Sequence, residues 1–235
     1  MTTTRAGALG KDFYFFMSLL IAVVVVYGFS HTVDKNLIHP TVPRPFLLYV
    51  HAAIFSAWVI FFIVQSTLVR THNVRLHRQI GWFGVALGVA IPVLGVSTAV
   101  TMARFNMLHL HSTNAPAELI VPLFDMVTFT VSFVLAISWR KQPEFHRRLL
   151  LIASCALTAA AFGRFPPDLL PPVLFYAGVD VLILLGVARD LIVDRKIHQV
   201  YLCAIPGLIV GQIVVVYTGL HHLPYWLRIA DAILR

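Results

Sequence analysis

Seven long apolar runs, separated by short polar connections, make up most of the chain. A helix needs roughly 20 apolar residues to cross the hydrocarbon core, with about 17 sufficing. Lipid leaves no water to pair with the backbone, so only helices or closed barrels span it, and no strand-like alternation is present. The pattern predicts seven membrane-spanning helices, at residues 13–29, 45–69, 80–103, 119–139, 149–163, 173–188 and 200–220.

These runs leave no room for a soluble domain, so we expect an all-α bundle of seven transmembrane helices that forms a single integral membrane domain over residues 1–235. After Pro224 the pattern changes. There Arg228, Asp231 and Arg235 fall on one helical face, while apolar side chains fall mostly elsewhere. This spacing predicts a short C-terminal amphipathic helix that lies at the outer membrane interface.

The charge distribution agrees with a membrane protein and excludes a nucleic-acid-binding one. Only 12% of the residues are charged, about half the share in soluble domains. The net charge is +8, but the basic residues cluster at the ends of apolar runs instead of forming a stripe. With the N-terminus inside, the inner connections hold twice as many Lys and Arg as the outer ones, so we expect the N-terminus inside and the C-terminus outside. The expected partner is the lipid bilayer.

Three ionisable residues lie inside apolar runs at matching depths in the predicted outer half, namely His51, Asp125 and Asp180. Gln212 lies at a comparable depth and Arg164 follows the fifth run, so both are candidate supporting residues. Ionisable groups inside a membrane mark functional sites by default. Three interpretations remain open. The first is a neutralised network in which Arg164 pairs one aspartate and His51 the other; the second is a metal site; the third is a proton relay.

Three further histidines, His77, His146 and His198, each open an apolar run on the predicted inner side, directly after an apolar residue. Neutral imidazole ligates haem iron and other metals, and two histidines on facing helices clamp one haem. The cofactor predicted here is therefore haem b or a divalent metal. The alternative is that these side chains bind lipid phosphates at the headgroup level. Because no C-x-x-C-H motif is present, any haem is non-covalent.

Two motifs carry a resemblance to known proteins. Leu76-His-Arg-Gln-Ile-Gly81 and Pro143-Glu-Phe-His-Arg-Arg-Leu149 resemble segments of uncharacterised multi-pass proteins of the bacterial inner membrane, which implies that location. A more distant likeness is to transmembrane di-haem cytochromes of the b561 type, which place histidines at two depths of a small bundle. This chain departs from them in its outer half, where Asp125 and Asp180 stand instead of a second buried histidine.

The leading hypothesis is a membrane redox protein that binds haem or a metal through His77 with His146 or His198, and transfers electrons to or from an unknown redox partner. In this hypothesis His51, Asp125 and Asp180 form the outer site. The first alternative is a non-redox transporter or assembly factor that handles an unknown small-molecule substrate or a metal at the intramembrane site of His51, Asp125 and Asp180. The second is an intramembrane zinc hydrolase, with the three outer residues as ligands.

Overall fold

The computed structural model describes the backbone of residues 2–235 and the side chains from Asp12 onward. The described chain is all-helical. Its α-helices are α1 Thr2–Ser30, α2 Phe46–Arg70, α3 Val74–His109, α4 Ala115–Glu118, α5 Ile120–Ser138, α6 Pro143–Ala156, α7 Ala159–Phe162, α8 Phe175–Val193, α9 Gln199–Leu220 and α10 Pro224–Leu234. A π-helical turn, Asp34–Ile38, and a 3₁₀ turn, Pro172–Leu174, lie in the connections.

The expectation of seven membrane-spanning helices is confirmed by length and composition. Seven helical segments in the described residues are long and apolar enough to cross a membrane. Three of them join two consecutive elements, because α4 leads into α5, α6 into α7, and the 3₁₀ turn into α8. The fold therefore fits a multi-pass protein in a lipid bilayer.

Several predicted boundaries are too short, because a helix continues past the apolar stretch until a capping or breaking residue stops it. The third helix begins at Val74, not at residue 80, where the side chain of Asn73 accepts a 3.3 Å hydrogen bond from the Leu76 amide. It ends at His109, which sequence reasoning placed in a loop. The fifth membrane-spanning segment begins with α6 at Pro143, not at 149, since proline suits the first helical turn.

The two ends of the bundle differ in composition. One end, which we call the basic end, carries the connections 71–73, 139–142 and 194–198 together with the first turns of α3 and α6. Its cationic residues are Arg70, Arg75, Arg78, Arg140, Lys141, Arg147, Arg148, Arg189, Arg195 and Lys196. We call the remainder of the bundle, toward the connections 31–45, 110–114 and 163–174, the opposite half.

The C-terminal amphipathic helix is present as α10, but part of it packs on the protein. Trp226 and Ala230 are buried against residues of α3, α4 and α5. The Trp226 indole N–H donates a 3.0 Å hydrogen bond to the Pro116 carbonyl, and Arg104 caps the last carbonyls of α10. This helix therefore closes the bundle at the tip of the opposite half.

Candidate functional sites in the two halves of the bundle

Two of the predicted histidines lie at the basic end of the bundle. His77 lies in the first turn of α3 and His146 in the first turn of α6. Both side chains are partly buried. The structure thus places at one end of the bundle two imidazoles that are 69 residues apart in the chain, as 146 minus 77 gives.

The ring of His146 is fixed in orientation by the backbone. Its Nδ1 lies 2.9 Å from the carbonyl oxygen of Ala136 on α5, so a proton on Nδ1 donates to that oxygen. A hydrogen bond of this kind selects the tautomer that leaves Nε2 as the free electron-pair donor, which is the usual arrangement for a metal-binding histidine.

Unpaired polar atoms surround His77. Its Nδ1 is buried without a hydrogen-bond partner, and so are both polar side-chain atoms of Gln65, a residue on α2 that is only 9% exposed. The His77 ring faces the backbone of Gln65. Buried polar groups in folded proteins almost always have partners, so such a concentration of unpaired atoms at one place indicates a site built for a bound group.

Helix geometry places Gln65 at the depth of His146. The indole N–H of Trp58 on α2 donates a 3.3 Å hydrogen bond to the hydroxyl of Ser154 on α6. Counting from this contact toward the basic end, Gln65 lies seven residues away and His146 eight, or roughly 10 and 12 Å. Seven residues are nearly two turns, so Gln65 faces the same side as Trp58, toward α6.

Open space adjoins this site at Gly81. A Cβ built on Gly81 meets no atom within 4 Å, although the residue is partly buried. Gly81 follows His77 by four residues and therefore lies on the same helix face, one turn away. Glycines further along α3 differ, because a Cβ at Gly84 would overlap the ring of Phe61 and one at Gly88 the ring of Phe133.

His198, the third predicted ligand at this end, has a structural role. It precedes α9, and its Nδ1 accepts a 3.2 Å hydrogen bond from the Val200 amide, which caps the helix. Its ring also packs edge-on against Phe145. Burial, with the Arg148 guanidinium nearby, holds the pKa of His198 below its usual range, so the imidazole is neutral and keeps its accepting nitrogen.

A buried ion network, which sequence reasoning missed, lies beside the histidines. Arg148 on α6 is 1% exposed and forms a two-pronged pair with Asp190 on α8, at 2.8 Å from Nε and 2.6 Å from Nη2. Arg189 donates to Asp190 at 3.0 Å and to Asp194 at 2.6 Å. Glu144 accepts from Arg148 at 2.6 Å. The network ties α6 to α8 and to the connection that leads into α9.

The sequence contains a signal for this ion network, namely acidic residues that lie close to the arginines at the helix ends. A count of Lys and Arg in the inner connections does not reveal it, because the count includes Arg148 but takes no account of the acidic residues near it. Glu144, Asp190 and Asp194 lie within the same end segments as three arginines. Acidic residues placed among the basic ones at helix ends allow charge-assisted pairs, so these arginines do more than set the membrane orientation.

The two predicted carboxyl groups of the opposite half have neutral partners. Asp125 on α5 is 8% exposed, and its Oδ1 accepts a 2.8 Å hydrogen bond from the Tyr176 hydroxyl on α8. Asp180, one turn further along α8, accepts a 2.9 Å hydrogen bond from the Gln212 amide on α9. Gln212 therefore supports this site as expected, while Tyr176 was not foreseen.

The other two predicted members of this layer stand apart from the carboxyl groups. His51 stacks on Phe55 at 3.9 Å within α2, and its Nδ1 is buried without a partner. Arg164 donates to the Ala160 carbonyl and covers the ring of Phe29 at 4.5 Å. The interpretation in which Arg164 pairs one aspartate and His51 the other is therefore wrong. Burial lowers the pKa of Arg164 from its usual range.

Two small adjoining cavities lie between the carboxyl groups. One, of about 10 Å³, is lined by residues of α5, α8 and α9 that include Asp125, Tyr176 and Gln212. The other, of about 30 Å³, is lined by Asp180 and by aliphatic side chains of α8 and α9. Ile183 lines both cavities.

Among the described side chains, no group of three or more His, Cys, Asp or Glu residues is placed to hold a metal ion. Comparison of the chain with protein-family models, with curated proteins and with solved structures finds no significant match. The class of protein is set by the fold, as a helical, multi-pass membrane protein with seven candidate spans. Any specific function is therefore argued from the geometry of the two polar sites.

Proposed function

We propose that this chain is a membrane redox protein that binds one b-type haem through His77 and His146. The observation that carries the proposal is that these two imidazoles lie at the same end of the bundle, where buried polar atoms of His77 and Gln65 lack partners. A haem iron takes four ligands from its macrocycle and needs two from the protein, and one histidine from each of two helices in a bundle meets this need. The bound haem would supply one-electron transfer.

The residues around the pair support this assignment. The hydrogen bond from Nδ1 of His146 to the Ala136 carbonyl leaves Nε2 as a ligand atom. The face of α3 at Gly81 has the open space that a flat macrocycle requires next to His77. Arg78, which is exposed and adjacent to His77, would pair with a propionate of the haem. Gln65 would donate its unpaired amide to the bound group or to a water beside it.

His146 is better suited than His198 to be the second ligand. The Nδ1 atom of His198 accepts the Val200 amide proton, and this nitrogen is therefore already occupied in capping α9. A neutral imidazole that accepts at Nδ1 carries its proton on Nε2, so it has no free electron pair for a metal. We therefore assign His198 to the support of the fold.

The basic end is proposed to face the cytoplasm of a bacterial cell, with the protein in the inner membrane. The excess of Lys and Arg at this end supports the orientation through the positive-inside rule. Cysteines introduced one at a time at Lys141 and at Asp168, one at each end, test it in a background in which the native Cys155 and Cys203 are replaced by serine. In intact spheroplasts, an impermeant maleimide is expected to label only the variant at 168; labelling of 141 instead would reverse the orientation.

An absorption spectrum of the detergent-purified full chain tests the haem. The protein is expressed with the haem precursor δ-aminolevulinate, and its spectrum is measured oxidised and then reduced with dithionite. We expect a Soret band that shifts on reduction, with one iron per chain. His77→Ala and His146→Ala are each expected to lose the band, while His198→Ala and His72→Ala, an exposed histidine in the same end, are expected to keep it.

Two outcomes would overturn the proposal. One is wild-type protein that stays colourless after haemin is added; this would leave the non-redox alternatives, transport or assembly. The other is a band that survives both His77→Ala and His146→Ala in folded protein. Size-exclusion profiles of the variants show whether a lost band reflects a lost ligand or a lost fold.

A further inference from the structure

Asp180 is a carboxyl group in a setting that does not suit a permanent charge. It lies in the sixth candidate membrane span, between helix turns of apolar residues, and it is only partly covered by the protein. Its one hydrogen-bond partner among the described side chains is the neutral amide of Gln212, at 2.9 Å. In hydrocarbon, a carboxyl group without a nearby cation has its lowest free energy in the protonated, neutral form.

The surroundings of Asp180 link it to a second carboxyl group. Gln212, its hydrogen-bond partner, also lines the cavity of about 10 Å³ that Asp125 and Tyr176 border. This volume is close to the smallest that holds one water molecule, and a water needs polar partners such as these. The cavity of about 30 Å³ adjoins it beside Asp180. The two carboxyl groups thus border one strip of space between α5, α8 and α9.

The charged side chains that the structure describes, from Asp12 onward, lie away from these two carboxyl groups. Toward Asp125 and Asp180, α8 presents Tyr176, α9 presents Gln212, and α5 adds Thr128 at the cavity wall. On the same helix, Arg189 is nine residues from Asp180, or roughly 13 Å along the axis. It is engaged by Asp190 and Asp194. Arg164 contacts Phe29 and the Ala160 carbonyl.

We propose that Asp180, joined through Gln212 and the adjoining cavities to Asp125 and Tyr176, is an intramembrane proton-binding site. Asp180 takes up and releases the proton, and the Gln212 amide stabilises the carboxylate when the proton has left. Asp125 and the Tyr176 hydroxyl extend the hydrogen-bonded path across the cavity. The site is separate from the histidine pair, so the proposal of a proton-binding site is tested independently of haem binding.

Labelling with dicyclohexylcarbodiimide tests the site, because this apolar reagent reacts with protonated carboxyl groups in hydrocarbon. The carboxyl proton moves to a carbodiimide nitrogen, and the carboxylate oxygen bonds to the central carbon. The O-acylisourea then rearranges to a stable N-acylurea with no further reactant. The full-length protein in phosphatidylcholine vesicles is labelled over a pH series, digested, and the modified residues are located by mass spectrometry.

We expect the label on Asp180 at neutral pH, falling about tenfold for each pH unit above its titration midpoint. Asp190 and Asp194, which are ionised in pairs with arginine, serve as internal controls and are expected to stay unlabelled. Gln212→Leu is expected to extend labelling of Asp180 to higher pH, because the carboxylate loses its donor. Asp168→Asn, in an exposed connection, is expected to change nothing.

Mapping of the wild-type protein decides the question even if a variant fails to fold. The proposal is overturned if Asp180 stays unlabelled at every pH, or if its labelling matches that of Asp190 and Asp194. It is also overturned if labelling does not respond to pH, since a group that never releases its proton does not bind one reversibly.

Discussion

Asp180 and Asp190 lie on the same helix, ten residues or roughly 15 Å apart, and the protein treats them in opposite ways. Asp190 is fully buried and accepts hydrogen bonds from two arginine side chains and, at 3.4 Å, from the His198 amide. Asp180 is only partly covered and has a single neutral donor. The two carboxyl groups differ in their partners as well as in their burial, and both factors set whether a carboxyl group is charged.

Position along the helix explains the contrast. At the basic end, arginine side chains from α6 and α8 reach Asp190 while their helices emerge toward the headgroups, where charge is tolerated. In the opposite half, a cation beside Asp125 or Asp180 would itself have to be desolvated, and the apolar turns of α5 and α9 provide none. A phenol and an amide are the donors that can be buried there at low cost.

The same isosteric change at the two kinds of carboxyl group is expected to have very different effects, with the largest at the basic end. Asp190→Asn removes the charge that compensates Arg148, which is 1% exposed. Breaking a buried pair by removing one partner costs about 3–5 kcal/mol; we expect about 3 kcal/mol, since Glu144 and Asp194 still contact Arg148. The midpoint of thermal unfolding in detergent measures the loss.

Glu144→Gln is the matched control within the network. Glu144 also accepts from Arg148, but it is 52% exposed, so solvent screens this pair and its loss is expected to have a small effect. If Asp190→Asn and Glu144→Gln unfold at the same temperature as the wild type, the network does not stabilise the bundle, and the contrast between the two halves loses its basis.

The fold was predictable from the sequence because hydrophobic run length is a direct consequence of membrane thickness. Seven runs gave seven spans, with errors confined to ends such as Val74 and Pro143, where capping residues extend the helix past the apolar stretch. The short helix after Pro224 was also predicted. Its packing by Trp226 against the Pro116 carbonyl was not, since that contact joins residues 110 positions apart.

For the two sites, the sequence predicted the depth of each residue along its helix but not which side chains contact one another. Sequence spacing placed His77 level with His146, and Asp125 level with Asp180, but the side on which each helix face lies depends on tertiary packing. That is why His51 was grouped with carboxyl groups that it does not contact, and why Tyr176 was missed. Arg148 is a buried ion-pair partner of Asp190, and the acidic residues near it in the sequence do not show which helices pair, because that depends on tertiary packing.

The next largest loss of stability is expected at Gly186, where α8 and α9 approach each other closely beside the ion network. A Cβ at Gly186 on α8 would overlap the hydroxyl of Tyr201 on α9, a residue that is only 1% exposed. Gly186→Ala is therefore expected to cost about 1–3 kcal/mol through overpacking. Adding Tyr201→Phe should restore part of this, because it removes the atom nearest to the new methyl group. A double variant no more stable than Gly186→Ala would show that the overlap is relieved elsewhere.

A smaller loss of stability is expected at His198, which lies beside the ion network but is not part of it. Its Nδ1 caps α9, so His198→Ala should cost about 1 kcal/mol. Because the folded pKa lies below the usual 6.5, the protein binds this proton less well than the unfolded chain does. This contribution to stability is present above pH 6.5 and is lost as the pH falls. His198→Asn keeps a capping acceptor but does not titrate, so it should remain stable and lose this part of the pH dependence.

The smallest effect is expected at Asp125, where the isosteric change that harms Asp190 should be tolerated. The Oδ1 atom of an asparagine accepts the Tyr176 hydroxyl as a protonated carboxyl does, and no buried cation is left behind. We expect Asp125→Asn to change stability by about 1 kcal/mol or less, the value of one neutral hydrogen bond. A loss as large as that of Asp190→Asn would mean that Asp125 is charged in the folded protein. Its partner would then have to be a bound cation, and the neutral character of this half would be refuted.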